Sequence, residues 1–185
     1  MQGAQRAGKG PGSRPASKQN AGGGRSRVFG SGAKRGLITM EYASKDIRNI
    51  LVAGHAGCGK TTLIEALLYA SGATERMGRV EDGTTASDFD SEEVRRKASL
   101  NSSVVPVEYQ GIKYNMIDAP GLFDFETGAC EGVMAAESVL ICVSGRSGVT
   151  VGAEKAYRLA VKNNRARMVF VSKMDLENAD YFKIL

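Results

Sequence analysis

Gly54-His55-Ala56-Gly57-Cys58-Gly59-Lys60-Thr61 is the stretch that decides the fold. It begins where a short apolar run, Ile50-Leu51-Val52-Ala53, ends. It opens onto Thr61 to Ala70, which predicts a helix with Leu63, Ile64, Ala66, Leu67 and Leu68 on its inner side. Strand, glycine-rich loop and helix in that order are the setting of a phosphate loop. Successive backbone N–H groups must turn inward onto phosphate oxygens, and glycines permit the dihedrals and the close approach. The helix N-terminus adds the positive end of its dipole. On this reading Gly54 through Thr61, and Thr62 after them, bind a nucleotide. Lys60 reaches the β- and γ-phosphates as the catalytic cation, and the Thr61 hydroxyl binds Mg²⁺. The competing reading is a Gly-rich turn that merely caps a helix; it must explain motif and context as coincidence.

Working outward, Ser103 to Tyr109 and Ile112 to Ile117 predict two strands joined by the hairpin turn Gln110-Gly111. Asp118-Ala119-Pro120-Gly121 follows the second strand. Asp118 is placed to hold Mg²⁺ through water, and the Gly121 N–H to meet the γ-phosphate. Val139 to Val143 and Met168 to Val171 are continuous apolar runs, which predict central parallel strands covered on both faces. Gly152 to Asn163 predicts a helix between them, and Glu177 to Leu185 the start of another. Ser172-Lys173-Met174-Asp175 follows the last strand, where ligands bind in open parallel sheets. A carboxylate there accepts hydrogen bonds from the guanine N1–H and 2-amino group. Adenine lacks that pair, so Asp175 selects guanine, with the stem of Lys173 along the base. The alternative reading makes Asp175 a helix cap. The fold class is α/β: a three-layer phosphate-loop NTPase with a mostly parallel sheet and one antiparallel strand. The ligands are GTP or GDP with Mg²⁺.

Residues 73–100 are polar and charged and read as one long loop, a length that in compact domains marks function or mobility. The order and spacing of the three motifs resemble the translational GTPases, whose family has Asp-Thr-Pro-Gly where this chain has Asp118 to Gly121. It has Asn-Lys-Met-Asp where this chain has Ser172 to Asp175. Arg79 to Asp90, Glu92-Glu93 through Ser99, Gly145 to Lys155 and Lys173 to Phe182 are similar to the elongation factor G-like branch. The resemblance covers about residues 45–185. It implies a G domain that binds and hydrolyses GTP, associates with the ribosome, and switches between two loop states set by the γ-phosphate.

The resemblance also implies roles at positions where this chain departs from the family. Ser99 stands at the Mg²⁺-ligating threonine of the first switch and keeps its hydroxyl. Ser172 replaces an asparagine whose amide braces the base loop. Leu122 stands where the family carries the histidine that positions the attacking water, which implies binding with slow hydrolysis. The family's guanine site has a further loop and a sixth strand, which would lie beyond Leu185, so a C-terminally truncated G domain is the expectation. Two other classes stay open: a GTP-binding switch that acts only through partners without hydrolysis, and an ATP-using kinase or ATPase. Asp175 argues against the last.

Composition sets the remaining bounds. The net charge of +5 belongs to residues 1–39, which hold eight Lys/Arg, no acid and ten of the 23 glycines. The other 146 residues carry 17 bases against 20 acids, so the domain itself has no broad basic surplus for nucleic acid. The leader cannot bury enough surface to offset its backbone entropy and is expected to be disordered. It reads as a nucleic-acid-binding tail, as a segment without specific function, or as sequence upstream of a start at Met40. The cysteines Cys58, Cys130 and Cys142 lack metal-ligand spacing and do not suggest a disulfide framework, which fits a reducing cytosol. No apolar run reaches the 18 or so residues of a membrane span, so no membrane partner is expected; a monomer is expected.

Overall fold

The computed structural model describes residues 42–88, 90–121, 126–182 and 184. The expected leader and Leu122 lie outside the described residues. Five strands form one sheet in the order β2-β3-β1-β4-β5. They are β1 (Ile47–Gly54), β2 (Ser103–Tyr109), β3 (Ile112–Asp118), β4 (Ser138–Ser144) and β5 (Ala166–Ser172). β1 runs parallel to β3 and β4, and β4 parallel to β5; only β2 is antiparallel, paired with β3. That exception follows from the local sequence. Gln110 and Gly111 both take positive φ, 50° and 80°, the type I′ turn whose twist suits a two-residue hairpin.

The helices are α1 (Lys60–Ala70), α2 (Ser91–Arg96), α3 (Glu126–Ala135) and α4 (Val151–Lys162). Alternation along the central strands divides the core between the two faces. Val52, Leu140 and Cys142 pack with Ile64 and Leu68 of α1. Leu51, Ala53, Val139, Ile141 and Val143 pack with Val133 of α3 and with Ala153, Ala156 and Ala160 of α4. The alanines of α4 recur at helical spacing, so its small-residue stripe lies against the sheet while Arg158 and Glu154 pair on its outer side. The expected three-layer α/β domain is therefore present. Each fully buried Leu, Ile or Val contributes about 1.5–3 kcal/mol, which makes these two clusters the source of the rigidity beneath the loops.

Four expectations are corrected. Residues 73–100 are not wholly loop, because α2 forms within them. Its capping box is complete: the Asp90 carboxylate accepts from Glu92 N at 2.8 Å, and the Glu93 carboxylate accepts from Asp90 N at 3.3 Å. β5 is not covered on both faces. It is paired only with β4 among the described strands, and Met168 and Val169 are 63% and 51% exposed. An apolar run reports the preference of its side chains and not the presence of a covering layer. The described residues of 177–185 form turns and no helix, with Ala179 N bonded to Leu176 O and Ile184 N to Tyr181 O. Asn178 has φ 65°, which interrupts any helical run. On α1, Ala66 is only half-buried and Glu65 beside it is buried, because the Glu65 carboxylate accepts the amides of Gly78 and Ala86 at 3.1 and 2.6 Å.

Candidate functional site

The loops that carry the motifs all leave the C-terminal ends of parallel strands: Gly54 of β1, Asp118 of β3, Ser144 of β4 and Ser172 of β5. The parallel pairing alone gathers them at one edge of the sheet, where ligands of open α/β folds bind. Gly59, the N-cap of α1, has φ 94°, a left-handed conformation that a side chain would strain. No side chain caps this helix and no acid lies in its first turn. Its leading amides and dipole therefore face the loop unneutralised. Lys60 is buried, and its Nζ donates to the His55 carbonyl at 3.2 Å, so the cation arches back over its own loop. Gly121 presses against Lys60 Nζ and the Ala56 amide, and a side chain there would collide with both. Thr62 is exposed, and Ala119 is buried beside Pro120.

Four oxygen-bearing side chains converge here, those of Thr61, Asp118, Ser99 and Asp88. The Thr61 hydroxyl donates to Asp118 Oδ2 at 2.8 Å. The Ser99 hydroxyl donates to Asp88 Oδ1 at 2.7 Å. The two hydroxyl oxygens lie 3.5 Å apart. With each proton donated to a carboxylate, Thr61 Oγ1 and Ser99 Oγ keep lone pairs able to accept. Asp118 is fully buried, and its Oδ1 has no hydrogen-bond partner. Burial pushes the Asp118 carboxyl up to about 6, against the opposing hydrogen bond from Thr61 and the charge of Lys60. Ser87 also opposes the rise and Asp88 reinforces it, although the Ser87 hydroxyl stops short of hydrogen-bonding geometry. An all-oxygen donor set with an orphaned buried carboxylate oxygen fits a small hard divalent cation such as Mg²⁺.

Asp88 was not singled out as a site residue from sequence. It is one of several acids in a polar loop, and only the fold reveals that it is buried beside Asp118. The base-side elements meet the phosphate loop through Ser172, whose hydroxyl donates to the Cys58 carbonyl at 2.6 Å. The bond ties the end of β5 to the loop between β1 and α1. His55, Ala56, Gly57 and Cys58 line a cleft of about 360 Å³, with Lys173 and Leu176 among the residues opposite. Lys173 adopts φ 56°. Met174 packs at Gly145, and Asp175 is exposed in the turn that follows.

The family model of the elongation factor Tu GTP binding domain matches residues 45–185. The chain belongs to this family. This translation elongation factor-like GTP-binding domain is 37% identical over 139 residues to an elongation factor G-like protein of Mycobacterium tuberculosis, covering 75% of this chain and 20% of that protein. It is 34% identical over 149 residues to a mitochondrial ribosome-releasing factor 2 of Drosophila ananassae, covering 80% of this chain and 20% of that one. A crystal structure of a Thermus thermophilus protein superposes with a TM-score of 0.72 at 42% identity, covering 75% of this chain and 21% of that chain. The chain thus spans about a fifth of the length of the curated relatives it matches. The fold is the G-domain fold of translational GTPases, and the elongation factor G-like resemblance read from the motifs holds.

Proposed function

We propose that the chain binds GTP and GDP with Mg²⁺ and hydrolyses GTP slowly, as the nucleotide switch of an elongation factor G-like protein working with the ribosome in the cytosol. The observation that carries this is the meeting of Thr61, Ser99, Asp118 and Asp88 at the mouth of the phosphate loop. They come from α1, the long loop and β3, and they converge beside the uncapped amides of α1. Gly54 to Thr62 with Lys60 bind the phosphates, and Gly121 meets the γ-phosphate. Ser172 to Asp175 bind the base, with Asp175 selecting guanine. Thr61 and Ser99 hold Mg²⁺ directly and Asp118 through water; Asp88 orients Ser99. When bound, Mg²⁺ supplies charge that offsets the phosphate oxygens.

Catalysis in this reading is positioning plus charge stabilisation. Lys60 supplies the charge. Leu122 has no group able to orient or deprotonate water, so turnover is slow while binding persists. A switch that signals by occupancy alone, through partners, is the second reading, and Leu122 is what favours it. Three measurements test the proposal: fluorescent GDP binding, its competition by ATP, and its loss on chelation of Mg²⁺. Equal competition by ATP and GTP would return the chain to the ATP-using class. GDP affinity unchanged by EDTA would remove the metal from the Thr61–Ser99–Asp118 cluster.

A further inference from the structure

A second cavity, of about 310 Å³, opens between α3 and α4 on the face of the sheet opposite α1. None of its described lining residues lines the cleft of about 360 Å³ at the phosphate loop. Small residues create it. Ala53 and Gly54 at the end of β1, Ala129 of α3, and Gly152 and Ala156 of α4 line it, where an interior is otherwise close-packed. The flank of α4 that faces it follows helical spacing. Lys155, Arg158, Leu159 and Lys162 stand at i, i+3, i+4 and i+7, and all four line the cavity. Ala156 and Leu159 supply apolar surface, and the three cations are exposed at the rim. Glu154 pairs with Arg158 from the same helix, and no acid stands among the described lining residues. A cavity of this size, with apolar walls and a few polar groups to one side, has the form of a small-molecule site.

We propose that this cavity binds a small amphipathic anion, an apolar body with a carboxylate head. The body lies among Ala53, Ala129, Ala156 and Leu159, which removes its surface from water. The carboxylate stays at the rim, where Arg158 and Lys162 donate to it and Lys155 adds charge. Arg158 gives one nitrogen to Glu154, and its guanidinium has further donors to offer. Gly121 also lines the cavity, and it packs against Lys60 Nζ and the Ala56 amide. An occupant therefore holds Gly121 against the phosphate loop, while a γ-phosphate has to enter between Gly121 and Lys60. Occupancy weakens GTP binding more than GDP binding. This coupling rests on the nucleotide-binding reading of Lys60 and Gly121; the anion site itself does not.

The test uses the full chain, with decanoate as the probe and decanol as its uncharged control. Cys130 lines the cavity and is exposed, whereas Cys58 and Cys142 are buried, so alkylation reports occupancy and unfolding separately. Decanoate should slow iodoacetamide labelling of Cys130 saturably, with one site per chain by calorimetry. Peptide mass spectrometry should find Cys58 and Cys142 still unlabelled. Decanol should bind about fivefold more weakly, the scale of an exposed charge pair. Arg158→Ala combined with Lys162→Ala changes only exposed side chains, and should erase the difference between the two probes. Unchanged labelling of Cys130 in decanoate, or equal binding of decanol and decanoate to the wild type, would overturn the proposal. Labelling of Cys58 and Cys142 in decanoate would overturn it too, as the mark of a detergent that unfolds the chain. Decanoate that weakens GTP and GDP equally would overturn the coupling. A chain that never binds GDP would sink the nucleotide reading instead, and the protection of Cys130 alone would then decide the anion site.

Discussion

The Thr61 hydroxyl donates to Asp118 Oδ2 across 2.8 Å, joining the first turn of α1 to the end of β3. The two residues are 57 positions apart, and the contact exists because β1 and β3 are parallel neighbours whose loops leave at the same sheet edge. A buried carboxylate in that place is costly without a counter-ion, since burial has removed the water that would solvate its charge.

That cost has a pH signature. The Asp118 carboxyl is raised from 3.8 to about 6 by burial. Below about pH 4 the group is protonated in folded and unfolded chains alike. As pH climbs from about 4 to 6, the unfolded chain releases this proton while the folded chain keeps it, so stability falls. Above about 6 the penalty is constant, on the order of 3 kcal/mol. Asp118→Asn removes the titration and leaves an amide oxygen to accept from Thr61. In EDTA, the melting temperature of the wild type minus that of Asp118→Asn should fall through this window and then level off. A difference that is flat or rising would refute the burial argument. The same variant should lose Mg²⁺-dependent GDP binding.

Glu93 is expected to hold the Ser99 segment in place. Its buried Oε1 accepts the amides of Leu100 and Asn101 at 2.9 and 3.0 Å. Glu93→Ala orphans both amides and half of the capping box. Hydrogen bonds to charged groups contribute about 1.5–3 kcal/mol, so melting should drop, and hydrogen exchange at Leu100 and Asn101 should quicken well before that of β1. Unchanged protection at those amides would mean the segment is held by something else.

How much of this was legible in the sequence depended on how local each signal is. The phosphate loop and α1 could be read because strand, glycines and helix are contiguous. The hairpin could be read because Gln110-Gly111 sits between alternating strands. α2 was also legible in principle, since Asp90 followed by Glu93 is a capping signature, but the polar run around it masked the signal. What could not be read is what topology creates. Asp88 meets Ser99, and Glu65 meets Gly78 and Ala86, only after the sheet has assembled. The exposure of β5 was hidden for a related reason: Met168 and Val169 look like core residues until the strand order is known.

Asp175 should set base choice. With Asn at this position, the carbonyl and amide present one acceptor and one donor face, which suits the 2-oxo group of xanthine better than the 2-amino group of guanine. Asp175→Asn should therefore weaken GDP and strengthen xanthosine diphosphate in a competition titration. A variant that keeps the wild-type preference for guanine would assign base reading to another group.

Lys60→Ala should weaken both GTP and GDP. In the structure Nζ is held at the His55 carbonyl, a neutral partner that a phosphate oxygen replaces with a charge-assisted bond. At about 1.5–3 kcal/mol for such a bond, affinity should fall by about ten- to a hundredfold. Calorimetry showing the two proteins equal would remove Lys60 from the phosphate site.

Leu122→His should separate hydrolysis from binding. Hydrolysis of a phosphoanhydride leaves little covalent chemistry to the protein, so what is missing with leucine is the orientation of the attacking water. Charge stabilisation by Lys60 is untouched by the change, and no phosphate-loop residue is altered, so GTP affinity should stay nearly constant. A positioned proton-handling group typically contributes about 10²–10⁴-fold. Single-turnover GTP hydrolysis, measured with and without ribosomes, should rise toward that range in the variant, and the double variant with Lys60→Ala should lose binding and hydrolysis together. The decisive comparison is the wild type beside a histidine-bearing relative under identical conditions. Equal rates would show that the water is oriented by a group other than the residue at position 122, one that the ribosome is able to supply, and slow hydrolysis would then no longer follow from leucine at that position.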